Sequence, residues 1–162
     1  MKLFRVLVVL LLPFYSTINA QEGKVKRLNI EKTQGHVNVT GTDLYLIVPE
    51  GYKQSVTCVG WNNKEGSSIV ISKRSKSIKE VAEEIDNHLI SLGYRIEQDQ
   101  KKWLLLNGSD AIYFKTKNES VQKQFLLIKG TAFTYIIEGS CDKDISENKS
   151  IKKIILSAFI QN

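Results

Sequence analysis

Two cysteines and two histidines are the side chains of this sequence best suited to nucleophilic or metal-binding chemistry. Cys141 lies in a short polar stretch, 139–142, that follows a predicted strand. As a nucleophile it would need a base such as His36 or His88 near it in space. Neither Cys58 nor Cys141 has a second cysteine or a histidine nearby in sequence, so their spacing does not favour a zinc site.

The histidines and carboxylates do not form a recognisable catalytic pattern. His36 falls on the polar side of a predicted strand and His88 at the edge of an apolar helical stripe, where a single histidine is expected to be a packing residue. The acids are scattered; a weak acidic group near the C-terminal helix (Asp142, Asp144, Glu147) is expected to complement the helix dipole. No nucleophile elbow, zinc-protease motif, phosphate loop or calcium loop occurs. The sequence therefore predicts no catalytic, metal-binding or cofactor-binding site.

The N-terminal residues have the layout of a secretory signal peptide. Lys2 and Arg5 precede an apolar run over 6–12, and Ala20 supplies a small residue before a polar sequence. The apolar run is too short to span a bilayer, which needs about 20 apolar residues. We predict cleavage after residue 20 and export to the periplasm or the medium, with a retained N-terminal anchor as the alternative.

Composition of the remaining 21–162 segment predicts a single domain. Loss of Lys2 and Arg5 lowers the net charge from +6 to +4, a mild surplus with acids and bases interspersed. The longest basic cluster, 73–76, has no interleaved aromatics, so nucleic-acid binding is not expected. In an exported chain Cys58 and Cys141 suggest a disulfide; two separate buried thiols are the alternative.

Three aromatic residues are candidates for contact with a partner. Trp61 lies in a polar segment, 60–67, that is predicted to be a loop, where it either folds back onto the core or makes an exposed contact. Tyr45 and Tyr52 flank the Pro49-Glu50-Gly51 turn and could line its rim.

Hydrophobic periodicity predicts two helices and a run of strands. Ser77 and Glu80 form a capping box at the start of a helix over 77–92, which Gly93 ends. A C-terminal helix carries an apolar stripe from Ile151 to Phe159, with Ser146 or Ser150 as its cap. Strands are predicted at 25–30, 36–40, 44–48, 68–73, 94–98, 103–106, 111–116, 124–129 and 133–138. Short turns, Asn107-Gly108 among them, indicate an antiparallel meander, so the fold class is α+β, with the sheet packed by a middle helix and a C-terminal helix.

The order of these motifs resembles the PsbP-like superfamily, which includes the DcrB-like bacterial proteins. A hydrophobic strand closes in Val48-Pro49-Glu50-Gly51-Tyr52, and the chain ends in a segment, 154–159, similar to the family's closing Ile-Leu-x-Ser-Phe phrase. Ala158 is an insertion in that phrase. The resemblance covers about 41–160 and leaves an additional N-terminal strand pair, 21–40, unexplained. It implies an α-β-α sandwich and carries over no catalytic residue.

These observations predict an exported, non-catalytic binding or accessory protein of the cell envelope. The expected partner is another protein or an envelope component, and the oligomeric state stays open. A small hydrolase using Cys141 or a serine with His36 or His88 is the first alternative. A small-ligand carrier with a pocket of several hundred Å³ lined by tyrosine and leucine is the second.

Overall fold

A computed structural model describes residues 25–96, 100–142 and 145–161. The predicted signal peptide lies outside these residues and stays a prediction. Within them, no helix combines the length and the apolar character needed to cross a membrane.

Twelve strands and two helices make up the described part of the chain. The larger sheet contains β1 (Lys26–Leu28), β4 (Lys53–Gln54), β5 (Gly60–Asn62), β6 (Ser68–Arg74), β7 (Arg95–Ile96), β8 (Lys102–Leu106), β9 (Ser109–Lys117), β10 (Val121–Lys129) and β11 (Thr134–Asp142). The smaller sheet contains β2 (His36–Asn38), β3 (Leu44–Ile47) and β12 (Phe159–Ile160), and the helices are α1 (Ile78–Ser91) and α2 (Ile145–Ile155).

The predicted meander is confirmed, and it forms the centre of the larger sheet. Strands β8 to β11 pair antiparallel in sequence order, β6, β5 and β4 continue the sheet beyond β11, and β7 pairs with the end of β9. Asn107 and Gly108 join β8 to β9 with φ angles of 49° and 87°. Positive φ at both central residues is what a tight hairpin of this hand requires, and asparagine followed by glycine adopts it at low cost.

Both predicted N-terminal strands are present, but they do not pair with each other. β1 lies parallel to β8 at the edge of the larger sheet, with Lys26 opposite Leu104, whereas β2 pairs with β3 in the smaller sheet. The larger sheet is therefore mixed and not wholly antiparallel. Burial in β2 also differs from the expected alternation, because His36 is buried and Val37 is half-exposed.

The C-terminal segment is helical over a shorter range than predicted. α2 ends at Ile155, so Phe159 begins β12 and is not part of the helix; it pairs with Tyr45 of β3. Ser150, one of the two predicted caps, lies inside the helix, and the other, Ser146, is its second residue. Ala158, the insertion in the family phrase, is fully buried at the junction.

The segment 60–62 is a strand and not the predicted loop. Gly60 pairs with Val70, and a side chain at Gly60 would place a Cβ 1.9 Å from the carbonyl oxygen of Ile69. Its φ of 149° is also one that residues with a Cβ rarely adopt. Glycine is therefore required here because β5 and β6 approach closely, and it was this glycine that suggested a loop.

The two faces of the larger sheet bury separate apolar clusters, which gives the predicted α-β-α layering. α1 begins with the predicted capping box, in which Ser77 accepts the N–H of Glu80 and the Glu80 carboxylate accepts the N–H of Ser77. The cluster under α1 consists of Ile78, Val81, Ala82, Leu89, Ile112, Phe114, Phe125, Leu127 and Ile136. Leu92, which was predicted to continue the stripe, is half-exposed.

The opposite face is covered by α2 together with the smaller sheet. Leu44, Leu46 and Ile160 of the smaller sheet and Ile151 and Ile155 of α2 are almost completely buried against it. Each such side chain contributes about 1.5–3 kcal/mol to folding. These two layers leave one part of the sheet face uncovered, beyond α2 towards the ends of β7, β8 and β9.

Candidate functional site: a cationic groove

Basic side chains line the uncovered part of the sheet face beside α2. Tyr113 of β9 packs in the α2-side core, so Lys115 and Lys117, two and four residues further along the strand, point to the same side. Lys102 is paired with Tyr113 and Arg95 with Lys117, and directly paired residues share a face. Four cations from three strands therefore lie on one side of the sheet.

α2 adds a fifth cation to this face. Gln124, the cross-strand partner of Lys115, donates through Nε2 to the carbonyl oxygen of Asn148 at 2.7 Å and also contacts the Asn148 side chain. Lys152 follows Asn148 by four residues, which places it one helical turn further on the same side of α2. We call the surface formed by Arg95, Lys102, Lys115, Lys117 and Lys152 the cationic groove.

A buried hydrogen-bond chain fixes the floor of the groove. The hydroxyl of Tyr113 donates to Oε1 of Gln124 at 2.6 Å, and Asn148 in turn donates to Gln122. Gln124 is 1% exposed, so its amide is held by partners on the sheet and on the helix. The groove is therefore built on side chains with fixed positions.

The cations of the groove have no acidic partner among the described residues, whereas three lysines elsewhere do. The ion pairs of the described part of the chain all lie on the α1 side of the sheet: Lys76–Glu84, Lys101–Asp86 and Lys123–Glu138. Burial lowers the pKa of Lys115, and the positive charges of Lys152 and Lys102 lower it further. The groove is thus a concentration of like charge that an anion would relieve.

Two adjoining cavities open along the groove. One, of about 260 Å³, is lined by Arg95, Gln100, Thr116, Gln122 and the two lysines 115 and 117. The other, of about 570 Å³, shares Arg95 and Lys117 but lies at the end of the sheet, where Leu92 and Gly93 after α1 and the turn between β9 and β10 complete its lining. Glu119 of that turn is the acidic member of the lining. Neither lining includes an aromatic residue, so the groove provides charge and hydrogen-bond donors but no platform for stacking a base or a sugar.

The three predicted contact residues lie away from this groove. Trp61 of β5 is partly buried against the α2-side core, which is the folded-back alternative. Tyr45 lies on the outer face of the smaller sheet, with Nζ of Lys32 3.8 Å above its ring centre. Tyr52 is partly buried and its hydroxyl faces Glu147.

Glu147 holds three side chains at the start of α2. Its Oε2 accepts the hydroxyl of Ser67 at 2.7 Å, the amide of Asn63 at 3.0 Å and the hydroxyl of Tyr52 at 3.5 Å. Burial raises the pKa of Tyr52 to about 12, and the charge of Glu147 contributes. Of the predicted acidic group, Asp144 and the side chain of Asp142 lie outside the described residues. Glu147 itself is an anchor between α2 and the β5–β6 turn.

His36 is used to join the smaller sheet to the segment after α2. Nδ1 accepts the N–H of Thr33 at 3.0 Å, and Nε2 donates to the carbonyl oxygen of Ser157 at 3.1 Å. The hydroxyl of Ser157 donates to the carbonyl oxygen of Ile154 and accepts the N–H of Ile47. Both groups are therefore bound to backbone and do not form a nucleophile–base pair.

The structure does not bring Cys141 and His88 together, one of the pairings that the hydrolase alternative would use. Cys141 is buried on the α2 side of the sheet, while His88 is exposed on α1, on the other side. The ring nitrogens of His36 face Thr33 and Ser157. Within the described ranges no group of three potential metal ligands occurs either.

The pocket predicted for a ligand carrier has a different form from the one expected. Most of each sheet face is filled by apolar side chains. The cavity with a tyrosine in its lining measures about 190 Å³ and lies between Thr40, Val59, Ile71 and Tyr135. Among the larger cavities are the two that adjoin the groove and one of about 500 Å³ between the β8–β9 and β10–β11 turns.

The predicted disulfide between Cys58 and Cys141 is not formed in the structure. Cys58 is exposed, and its neighbour Val59 lies opposite Ile71, whose N–H donates to the Val59 carbonyl oxygen. Ile71 in turn lies opposite Ile137 of β11, so Cys58 is near the level of Ile137. Cys141 lies four residues beyond Ile137, about 13 Å along the strand. A disulfide requires Cα atoms within about 7 Å, so the sheet register separates the two sulfurs.

Two solved structures share this architecture. LpqN of Mycobacterium tuberculosis, described as involved in cell envelope biogenesis, is 16% identical, with a TM-score of 0.51 over 74% of this chain and 83% of its own. The cyanobacterial PsbP protein (CyanoP) of Synechocystis is 10% identical, with a TM-score of 0.56 over 78% of this chain and 91% of its own. The chain has the PsbP-like fold. No family model and no curated protein sequence matches it.

The PsbP-like resemblance predicted from short motifs is thereby confirmed at the level of the fold. At 10–16% identity the likeness transfers no residue role. Sequence reasoning missed the cationic groove, whose residues are spread from position 95 to position 152. Lys115 in the predicted strand 111–116, followed two positions later by Lys117, was the one local signal that a sheet face carries positive charge.

Proposed function

We propose that this chain is an exported, non-catalytic binding protein of the cell envelope that holds an acidic partner in the cationic groove. The observation that carries the proposal is the group of five cations on one sheet face without a described carboxylate in ion-pair contact. Such a surface costs self-repulsion when empty, and a bound anion offsets that cost.

Two further observations support export and the envelope. The basic–apolar–small-residue pattern of 1–20 is typical of a cleaved leader. One protein with the same fold is described as involved in cell envelope biogenesis. The partner is a protein with an acidic surface or an anionic envelope component.

The binding part of the proposal is tested with isolated cell envelopes and the purified protein. Because phosphate or carboxylate contacts release counterions, we expect the affinity to fall steeply as salt rises. Replacing Arg95 and Lys117 by glutamine should weaken binding about tenfold or more, while Lys79→Gln, on the exposed side of α1, should leave it unchanged. Binding that is insensitive both to salt and to the groove variants would contradict the proposal.

The export part is tested separately by mass spectrometry of the protein recovered from the envelope and from the medium. We expect a chain that begins near Gln21. Full-length protein found in the cytoplasm would exclude export, and full-length protein held in the membrane would support the retained-anchor alternative.

A further inference from the structure

Three lysines of the cationic groove lie on neighbouring elements of the fold. Lys102 and Lys115 lie on neighbouring strands, because Lys102 is opposite Tyr113 and Lys115 is the next residue of β9 on that face. Lys152 approaches from α2, which is fixed over this place by the contact between Gln124 and Asn148. The three ammonium groups therefore come from a strand, its neighbour and a helix above them.

We propose that Lys102, Lys115 and Lys152 form a binding site for the terminal phosphate of a phosphate monoester. This inference rests on the proposed function, since it names the chemistry of the anion that the groove holds. Arg95 and Lys117 would contact the next part of the ligand along the two cavities.

The choice of phosphate over carboxylate follows from charge and shape. A phosphate monoester carries nearly two negative charges at neutral pH and presents three strong acceptor oxygens. Three ammonium groups arriving from different directions can each donate to one of these oxygens, and lysine binds phosphate as a point charge. A carboxylate has one charge and two coplanar oxygens, and it is best matched by the planar fork of an arginine.

The electrostatics of Lys115 agree with a site for an anion. Lys115 is partly desolvated and is repelled by Lys102 and Lys152, and both effects lower its pKa. On the opposite face, by contrast, carboxylates pair with Lys101 and Lys123 and neutralise their charge. A bound phosphate would offset the repulsion among the three lysines.

The test is a titration of the purified protein with glycerol phosphate at constant ionic strength, followed by NMR. Acetate is titrated in parallel as the carboxylate probe. We expect glycerol phosphate to bind at least tenfold more tightly than acetate. Each of Lys102→Gln, Lys115→Gln and Lys152→Gln should weaken it about tenfold, as for loss of one charged hydrogen bond, with Lys79→Gln as the matched control.

A second arm separates a soluble ester from a lipid headgroup. Vesicles containing phosphatidic acid present the same phosphate monoester at a membrane surface, and phosphatidylcholine vesicles are the control. Binding to these vesicles, but not to free glycerol phosphate, that depends on Lys115 supports the site with a lipid ligand. Binding to free glycerol phosphate alone supports it with a soluble ligand.

Three outcomes overturn the inference. If acetate and glycerol phosphate bind equally and the three substitutions weaken both equally, the groove holds anions in general; the proposed function then stands and the phosphate site does not. If phosphate binds and the three lysine variants have no effect, the site lies elsewhere. If neither glycerol phosphate, phosphatidic acid vesicles nor isolated envelopes bind, the proposed function fails together with the inference.

Discussion

The hydroxyl of Ser67 donates a 2.7 Å hydrogen bond to the carboxylate of Glu147, which lies 80 positions later in the chain. Ser67 is 1% exposed and sits in the turn between β5 and β6, while Glu147 is in the first turn of α2. The bond therefore ties the helix that borders the cationic groove to the far side of the larger sheet.

Replacement of Glu147 by alanine is expected to destabilise the protein. The buried hydroxyl of Ser67 and the amide of Asn63 would lose their acceptor, which costs about 1.5–3 kcal/mol in the free energy of unfolding. Urea unfolding measures the change. Glu147→Gln should recover part of the loss because its amide oxygen still accepts, and Glu119→Ala in an exposed turn is the control. Equal effects of Glu147→Ala and Glu119→Ala would exclude this role.

Tyr135 is expected to make the protein sensitive to alkaline pH. Burial and the nearby carboxylate of Asp43 together raise the pKa of Tyr135 from its ordinary value of 10.0 to about 12. Between about pH 10 and 12 the unfolded chain loses this proton while the folded chain keeps it, so stability is complete below pH 10 and declines as pH rises through 12. The contribution to the slope is at most about 1.4 kcal/mol per pH unit.

The alkaline effect is measured by urea unfolding at a series of pH values from 8 to 12. Tyr135→Phe should flatten the decline, and Tyr45→Phe, which removes the same atom on the outer face of the smaller sheet, should not. A decline equally steep in Tyr135→Phe would assign the effect to other groups.

Gly60→Ala is expected to destabilise the protein strongly, by about 3 kcal/mol or more. The added Cβ would lie 1.9 Å from the carbonyl oxygen of Ile69, so β5 and β6 would have to separate, in addition to the strain of the positive φ. Gly66→Ala is the matched control, because its φ is also positive but nothing lies within 4 Å of the new Cβ. The free energy of unfolding of Gly66→Ala should fall by only about 1–2 kcal/mol. Comparable losses in the two variants would mean that strain and not contact sets the requirement.

The two cysteines are expected to react with a thiol reagent at very different rates. Cys58 is exposed in the loop before β5 and should be alkylated in the native protein, whereas Cys141 is 3% exposed and should react only after unfolding. Mass spectrometry without reductant counts the labels. If unfolded protein takes up no label until it is reduced, the disulfide predicted from composition exists after all.

Local signals in the sequence were sufficient for the elements whose residues interact within a few positions. The capping box of Ser77 and Glu80 and the Asn107-Gly108 turn depend on backbone geometry over four residues or fewer, and both are present as predicted. Pairings between distant segments were not accessible in this way. β1 resembles any short strand, and nothing within 26–28 indicates that its partner is β8 and that the pairing is parallel.

The cationic groove illustrates the same limit for function. The basic run 73–76 was conspicuous in sequence, yet Lys76 is paired with Glu84 in the structure. The groove forms from cations on three strands and a helix, and none of these residues belongs to a recognisable motif in its own segment. Only the register of β7, β8 and β9 and the position of α2 bring them together.

The smaller sheet can be completed only after the end of the chain has been synthesised. β3 pairs with β12, which lies more than a hundred positions downstream. Until β12 is present, one edge of β3, the strand that carries the buried Leu44 and Leu46, has no partner. A chain without β12 therefore has an unpaired strand edge next to apolar side chains, a combination that favours aggregation. A product that lacks Phe159 and Ile160 would keep that edge unpaired and is expected to aggregate more readily than the full chain.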